Sequence, residues 1–383
     1  MKSKKLLFVV NDPGFFLSHR LPIALAAQQQ GYDVEVATGP GPEGRRMTEL
    51  GLRFHELPLS RRGANPFAEL RALFSIGQLF RRVRPDIVHL VTIKPVLYGG
   101  LAARLTRVPA VVAAVSGLGT VFMARGWRAA ARRAVVSRLY RAAFRHARLR
   151  VIFQNDEDLR LFVDNGVVGA DQSILIPGSG VDLSQYKAVA EPQGAVVVTM
   201  ASRLLRDKGV FEFVEAARLV RQQHPDTTFW LAGTADEGNP STLSAADMDR
   251  IGEGGDVRLL GHSTDIAGLF ARSHIVVLPS YREGLPRVLI EAAACGRAVV
   301  TTDVPGCRDA IEAGTTGLLV PPKSAEALAE AISLLVADAP RRRAMGEAAR
   351  RFAEKKFGID KVVAAHLDLY RALRADPQPH GAN

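Results

Sequence analysis

Cysteine is nearly absent: Cys295 and Cys307 are the only two in 383 residues. That number leaves no disulfide framework, and no His-rich spacing accompanies them to suggest zinc, so a reducing cytosol fits. Long apolar runs are missing too. Met1 to Val10 has a basic start and a short apolar stretch, but Asn11, Asp12 and Pro13 stop it short of a secretory or membrane-spanning length. No other stretch reaches about 18 consecutive apolar residues, so the sequence reads as soluble or peripheral. The first strand-to-helix loop, NDPGFFLSHR, is too poor in glycine for a dinucleotide fingerprint, which argues against a nicotinamide cofactor. Negative charge is missing from one long segment. No acidic residue lies between Asp86 and Asp156, where Lys94, Arg104, Arg107, Arg125, Arg128, Arg132, Arg133, Arg138, Arg141, Arg145, Arg148 and Arg150 accumulate.

What is present is ample apolar material, 47% of the chain, enough for two cores of ordinary size. The net charge of +11 is unevenly placed: to Ala190 there are 27 Lys and Arg against 14 Asp and Glu, a balance of +13, and from Glu191 onward 23 against 25, a balance of −2. The first half should therefore meet something anionic. Strand-like runs from Lys4 to Val10 and at DVEVAT, DIVHLV, AVVAAV and RVIFQ alternate with helix-like stretches at 66 to 83, 95 to 106, 127 to 148 and 156 to 165. Such alternation predicts an α/β fold with a parallel sheet covered on both faces. The pattern restarts at AVVVTM after a polar stretch, Lys187 to Gly194, and alternates again through TFWLAG, VRLLG, HIVVLPS, AVVTT and LLV. The expected division is 1–186, a linker at 187–194, a second domain at 195–360, a final helix at 361–374 returning to the first domain, and a disordered tail at 375–383.

Ligands of open parallel sheets collect at the carboxyl ends of strands, where loops and helix N-termini converge. The loop ASRLLRDKG places Arg203 and Lys208 just before a helix, a suitable arrangement for a diphosphate. The loop YREGLPRVLIEAAACG carries Glu283, then Pro286 at a helix start and Gly296 past its end. Glu291 sits inside that helix among Leu289, Ile290, Ala292 and Ala293, where an unpaired charge is costly; it reads as facing a pocket that holds a hydroxyl-bearing ligand. In the first loop Gly14 permits close backbone approach, with Ser18, His19 and Arg20 at the helix entry. Lys94 in HLVTIKP and Ser116, Gly117 and Gly119 in VSGLGTVF end two further strands and are equally compatible with plain turns. The Asp-x-Asp pairs Asp156/Asp158 and Asp247/Asp249 read as helix-start and connecting-region acids rather than metal ligands.

The segment SYREGLPRVLIEAAACGRAVVTTDVPGCRDAI, with its glutamates separated by seven residues, together with ASRLLRDKG and IPGSGVD, resembles the family 4 glycosyltransferases, retaining enzymes of the GT-B fold. The resemblance covers nearly the whole chain and implies two Rossmann-like domains facing across a cleft. It implies that Arg203 and Lys208 neutralise the nucleotide diphosphate in place of a metal, so that no cofactor is needed. Glu283 contacts the donor sugar together with Gly284 and Leu285, Glu291 holds the ribose, and Gly14 lets the first loop approach the transferred sugar. Glu283, Arg203 and Lys208 are then the catalytic set, and Ser18, His19, Lys94 and Gly117 the acceptor contacts. VPGCRDAI departs from the Gly-Gly-x-x-Glu loop of many relatives, leaving open whether Cys307, Arg308 and Asp309 touch the sugar.

DPGFFLSHRLPIALAAQQQGYDVEVAT and VSGLGTVF are similar to a finer group, bacterial enzymes that move an N-acetylhexosamine, often UDP-linked, to a polyprenyl-diphosphate-linked saccharide in cell-surface or glycoprotein glycan assembly. The expected partners are a UDP-N-acetylhexosamine, that lipid-linked acceptor and an anionic membrane surface. The expected location is the cytoplasmic face of the cell membrane. In VVSRLYRAAFRHAR, Arg138, Arg141, Arg145 and Arg148 cluster on one side of a helix and Val136, Leu139, Ala143 and Phe144 on another, a pattern able to lie on an anionic leaflet with its apolar face toward the acyl chains. A core-packed helix with a solvated arginine face is the competing reading. The alternatives for the whole chain are another GT-B enzyme, such as a sugar-nucleotide epimerase or phosphorylase, and a basic nucleic-acid or membrane-surface binding protein without catalysis. Against nucleic acid, the arginines are interleaved with Ala, Val and Leu rather than with exposed aromatics.

Overall fold

A computed structural model describes residues 3–60, 65–117, 127–236 and 239–374. The expected disordered tail at 375–383 and the strand-end residue Gly119 lie outside the described residues. The chain forms two compact units, one built from Met1–Ser179 with Asp360–Asn383 and the other from Gly180–Ile359.

Unit 1 is a seven-stranded, all-parallel sheet. Its strands are β1 (Lys5–Val10), β2 (Asp33–Thr38), β3 (Arg53–Glu56), β4 (Ile87–Val91), β5 (Ala110–Val115), β6 (Leu149–Phe153) and β7 (Ser173–Leu175), in the order β3-β2-β1-β4-β5-β6-β7. The central strands are near-continuous apolar runs because helices cover both faces, and Leu6 to Val10 are fully buried. The edge strands lack that signature. β3, RFHE, is a polar strand fixed by an ion pair from Arg53 to Asp33 and a hydrogen bond between His55 Nε2 and Glu35 Oε2 at 2.6 Å.

Unit 2 has six parallel strands: β8 (Val197–Ala201), β9 (Thr228–Ala232), β10 (Arg258–Gly261), β11 (Ile275–Leu278), β12 (Ala298–Thr302) and β13 (Gly317–Val320), in the order β10-β9-β8-β11-β12-β13. In each unit the order reverses direction once, between β1 and β4 and between β8 and β11. Loops that leave such neighbours in opposite directions open a crevice at their carboxyl ends.

Three expectations change. The division between units falls at Ser179/Gly180, not after residue 186, and 187–194 is no free linker. The Val181 amide donates to the Phe357 carbonyl and the Val181 carbonyl accepts from the Ile359 amide, Tyr186 is buried in the core of unit 2, and Glu191 pairs with Arg342 at 2.9 Å. Within 187–194 Glu191 is tied to the rest of unit 2 by this ion pair, while Lys187 and Gln193 stay exposed. The stretch at 95 to 106 starts as a π-turn, Pro95–Gly99, before Gly100–Thr106 becomes α-helical. Finally, the arginine-rich helix runs Trp127–Phe144 and stops short of residue 148. Its apolar side is spent inside the protein: Tyr140, Ala143 and Phe144 lie in the core cluster of unit 1, with Val136 packed against it. That face is not available to acyl chains.

The helix Ile359–Arg374 completes unit 1, inserting Val362, Leu369, Tyr370 and Leu373 beside strand residues such as Leu6, Phe8 and Val112. It also brings polar groups into the interior. Arg20 is fully buried and donates to the His19 carbonyl and to Ser179 Oγ, both at 3.1 Å. The Tyr370 hydroxyl lies 2.5 Å from His89 Nδ1, and His366 Nδ1 lies 2.7 Å from the Val362 carbonyl. Burial pulls the Arg20 guanidinium down to about 10. Burial, reinforced by the Arg20 charge, takes His366 down to about 3. Burial, with His366 and Arg20 adding to it, holds His89 well below the usual imidazole range.

Both histidines are therefore neutral in the fold but take up a proton near pH 6.5 once unfolded. Because the unfolded chain binds more protons below that pH, stability is flat above about 6.5 and falls as the solution is acidified, by up to about 1.4 kcal/mol per pH unit for each histidine. Thermal unfolding at about pH 6.5 and about pH 4.5 should show a smaller loss for His366→Phe than for the wild type. Equal losses would place the acid sensitivity elsewhere.

Candidate active site

The carboxyl ends of β8 and β11 flank the reversal of strand order in unit 2, and the loops that leave them are tied together. After β8 the chain makes a single 3-10 turn, Arg206–Lys208. The Asp207 carbonyl in that turn accepts from the Tyr281 amide at 2.9 Å and from Ser280 Oγ at 3.1 Å, both in the loop after β11. Gly209 makes the approach feasible: its φ is +75°, and a Cβ there would stand 2.2 Å from the Pro279 carbonyl oxygen. The result is a direct ion pair between Lys208 and Glu283. Arg203, from the same loop, turns instead to Asp236 beyond β9. A cation and a carboxylate thus stand together at the crevice, with a second cation nearby in sequence but on another partner.

Glu283 is held from behind. Its amide donates to the Pro305 carbonyl at 3.2 Å, and Gly306, φ +78°, packs so closely that a Cβ would meet the Glu283 and Gly284 carbonyl oxygens at 2.6 and 2.5 Å. Gly284 and Leu285 are buried in the turn that follows. The loop after β12 acts as a support: Asp309 Oδ2 accepts from the Gly306 amide at 2.9 Å, Arg308 pairs with Asp303, and Cys307 is fully buried with its thiol pushed up to about 12 by desolvation and the Glu283 charge. Cys307 is thus a packing residue.

Glu291 lies in the helix Arg287–Ala294 and is 6% exposed. Its charge is answered within the protein. Oε1 accepts from the Tyr186 hydroxyl and lies beside Arg287 Nε, each at 2.8 Å. Burial raises its affinity for a proton, while Arg287 and then Tyr186 act in the opposite direction. The sequence pointed to a pocket-facing carboxylate and did not reveal these partners. Arg287 follows the one-turn spacing of helix ion pairs, whereas Tyr186 is 105 residues distant.

In unit 1 the first loop is largely helical, Pro13–His19, capped by Asp12, which accepts from the Phe15 amide at 2.7 Å. Gly14 lies inside this helix with φ outside the left-handed region, and an added Cβ would meet only the Asp12 and Glu43 carboxylates, at 3.4 Å. The fold itself does not demand glycine there. Ser18 Oγ bonds the Gly14 carbonyl at 2.8 Å and lies 2.7 Å from His19 Nδ1, while the His19 ring stacks on Phe15 at 4.0 Å. Lys94 is paired with Glu69 at 2.6 Å. Gly117 ends β5 with φ +112°. Between them lie residues the spacing did not single out: Asn11 Oδ1, Thr92 Oγ1 and Ser116 Oγ, at the ends of β1, β4 and β5, are buried without a hydrogen-bond partner. Thr92 is also held at φ +74°, strained for a β-branched residue. An inward-facing polar residue just past an apolar strand is the available sequence signal, and it is a weak one.

Among the described residues no group of three or more His, Cys, Asp or Glu could hold a metal ion. The acids of the two Asp-x-Asp pairs have other work where they are buried. Asp158 is bonded by the Asn155 cap, and Asp247 closes a capping box with Ser244 and pairs with Arg206 and Arg250. No described helix is long and apolar enough to cross a membrane.

Residues 5–155 match the family described as glycosyl transferase 4-like, and residues 184–352 match glycosyl transferases group 1. The chain is 31% identical over 344 residues to the N,N'-diacetylbacillosaminyl-diphospho-undecaprenol alpha-1,3-N-acetylgalactosaminyltransferase of Campylobacter jejuni, covering 84% of this chain and 89% of that one. It is 26% identical to the UDP-Gal:alpha-D-GlcNAc-diphosphoundecaprenol alpha-1,3-galactosyltransferase of Escherichia coli, covering 82% of each. Among solved structures, HepE of Anabaena in complex with UDP and glucose superposes with a TM-score of 0.79 at 21% identity, over 96% of this chain and all of that one. A glycosyltransferase of Rickettsia africae gives 0.78 at 19%, over 98% of this chain and all of that one. The chain therefore belongs to the family 4 glycosyltransferases, and its two parallel-sheet units are the Rossmann-like domains of a GT-B hexosyltransferase.

Proposed function

We propose that the protein transfers an N-acetylhexosamine, with retention of configuration, from a UDP-linked donor to a saccharide carried on undecaprenyl diphosphate, while resting on the inner face of the cell membrane. The observation that carries the site assignment is the Lys208–Glu283 ion pair across the reversal of strand order, a cation and a carboxylate already placed where a ligand with both phosphates and hydroxyls can replace each partner. The relatives' names supply the sugar and the lipid carrier.

In this reading Lys208 and Arg203 exchange Glu283 and Asp236 for the donor diphosphate and stabilise the charge that develops as it leaves. Glu283, released from Lys208, accepts from the donor sugar hydroxyls beside Gly284 and Leu285. Glu291 takes the ribose, its orientation set by Tyr186 and Arg287. Gly14 leaves room for the sugar at the first loop, and Ser18, His19, Lys94 and Gly117 contact the acceptor. The acceptor hydroxyl oxygen bonds the anomeric carbon on the face from which the diphosphate departs. Its proton passes to the departing phosphate oxygen, so the products are the glycoside and UDP. Positioning and charge stabilisation do most of the work, and neither a metal nor a cofactor enters.

Transfer of radiolabelled sugar should fall roughly a hundred- to a thousand-fold in kcat/KM for Lys208→Ala, in line with the loss of one preorganised charge contact. Glu283→Gln should cut turnover with little change in donor KM, and Glu291→Ala should mainly raise donor KM. Full activity in all three would place the donor elsewhere. Addition of a chelator should leave transfer unchanged, and UDP should raise the thermal midpoint of the wild type more than that of Lys208→Ala. Activity lost to the chelator and restored by a divalent ion would sink the metal-free reading.

A further inference from the structure

The chain after β8 carries three cations, and each has its own carboxylate. Lys208 pairs with Glu283, Arg206 with Asp247 at 2.8 Å, and Arg203 with Asp236. Asp247 is engaged elsewhere as well, by the Ser244 hydroxyl at 2.7 Å and by Arg250 at 2.5 Å. Asp236 differs: among the described residues Arg203 is its one cationic partner. It lies past the carboxyl end of β9, the strand beside β8.

Asp236 is set in place by its backbone rather than by its charge. Its amide donates to Thr242 Oγ1 at 2.9 Å, and its carbonyl accepts from Thr242 Oγ1 at 3.0 Å and from the Asn239 amide at 2.9 Å. The same stretch is bonded to the cationic turn. The Leu204 amide donates to the Thr234 carbonyl at 3.0 Å, the Arg206 amide to the Ser241 carbonyl at 2.7 Å and the Asp207 amide to Ser241 Oγ at 3.2 Å. Gly233, φ +146°, allows the chain to enter this arrangement, since a Cβ there would stand 1.8 Å from the Ser202 carbonyl oxygen. A carboxylate only 19% exposed is thereby held beside Arg203 by bonds that do not involve its charge.

With the donor diphosphate between Lys208 and Arg203, the two displaced carboxylates fare differently. Glu283 meets the sugar hydroxyls, whereas Asp236 is left as a like charge beside an anion, with little water to screen it. After transfer the sugar no longer esterifies the terminal phosphate, so UDP presents more negative charge to these cations than the donor did. Without a counterweight, the product would be gripped there more tightly than the substrate. We propose that Asp236 is that counterweight, an anionic competitor for Arg203 that limits the hold on UDP and returns to the guanidinium as UDP departs. This role rests on the placing of the donor diphosphate proposed above, and it adds to that site a control of product release. Asp236 acts through Arg203 and is a positioning residue.

The test is calorimetric titration of the full chain with UDP, joined to stopped-flow displacement of a fluorescent UDP analogue. Asp236→Asn keeps the shape of the side chain and removes its charge. Asp226→Asn, at an exposed position just before β9, makes the same change of net charge at the opposite end of that strand. Asp236→Asn should bind UDP roughly three- to ten-fold more tightly than the wild type, chiefly through slower dissociation, and UDP should become a stronger product inhibitor of transfer. The gain should shrink as salt is raised from about 0.05 M to about 0.5 M, because the competing charge is screened. Asp226→Asn should match the wild type, and so should Asp236→Glu, which restores the charge.

Weaker UDP binding by Asp236→Asn would mean that Asp236 orients Arg203 for the diphosphate, and would overturn the competitor role; unchanged binding would overturn it too. In both cases UDP binding by the wild type that is reduced in Lys208→Ala leaves the donor site standing. A wild type that binds no UDP would overturn the donor site and the competitor role together.

Discussion

The ion pair between Lys208 and Glu283 is the constraint on which the second unit turns. Both groups are largely withdrawn from water, and either one left alone would be an uncompensated charge in a poorly hydrated crevice. Bringing them together requires the loops after β8 and β11 to leave the sheet in opposite directions and then meet, which parallel strands allow only where their order reverses. Gly209 and Gly306 follow from this, since each lets backbone approach backbone at a distance no side chain would tolerate. The Asp207 carbonyl, the Pro305 carbonyl and Asp309 then lock the loops at that distance. A pair assembled this way is rigid in its backbone, while each charge could exchange its partner for another of the same sign, the combination that the proposed diphosphate site needs.

The parts of the fold that were readable from sequence are those where burial writes directly into residue type. β1, β4 and β5 are covered on both faces, so their residues form apolar runs that cannot be mistaken for surface. β3 escaped notice because an edge strand stabilised by Arg53, Asp33, His55 and Glu35 resembles a loop in composition. The segment at 187–194 resembles a linker in composition for a related reason: its ties are the Glu191–Arg342 ion pair and the Ala190 carbonyl held by Arg297, partners far away in sequence. The arginine-rich helix shows that an amphipathic pattern reports two faces without saying which neighbour takes the apolar one. Here the sheet takes it.

The site follows the same logic. Glu283, Lys208 and Glu291 stand out because charged residues beside apolar strand ends and inside an apolar helix need a reason to be there. What supports them could not be read, because Tyr186 reaches Glu291 and Asp236 reaches Arg203 only through tertiary folding. Asn11, Thr92 and Ser116 are ordinary residue types whose importance lies in burial without partners and in one strained φ angle, neither of which leaves a trace in a string of letters.

The last helix has a consequence for how the protein is made. Unit 2 closes with residue 359, while unit 1, although it begins first, is not complete until Tyr370 and Leu373 have been added. On the ribosome the later-starting unit is thus the first that can finish, reversing the usual N-terminal-first order. Until residue 370 emerges, the Arg20 guanidinium and the His89 imidazole have no lid of protein over them and remain hydrated. The nascent first unit therefore waits, open along one face, for the helix that follows the second unit.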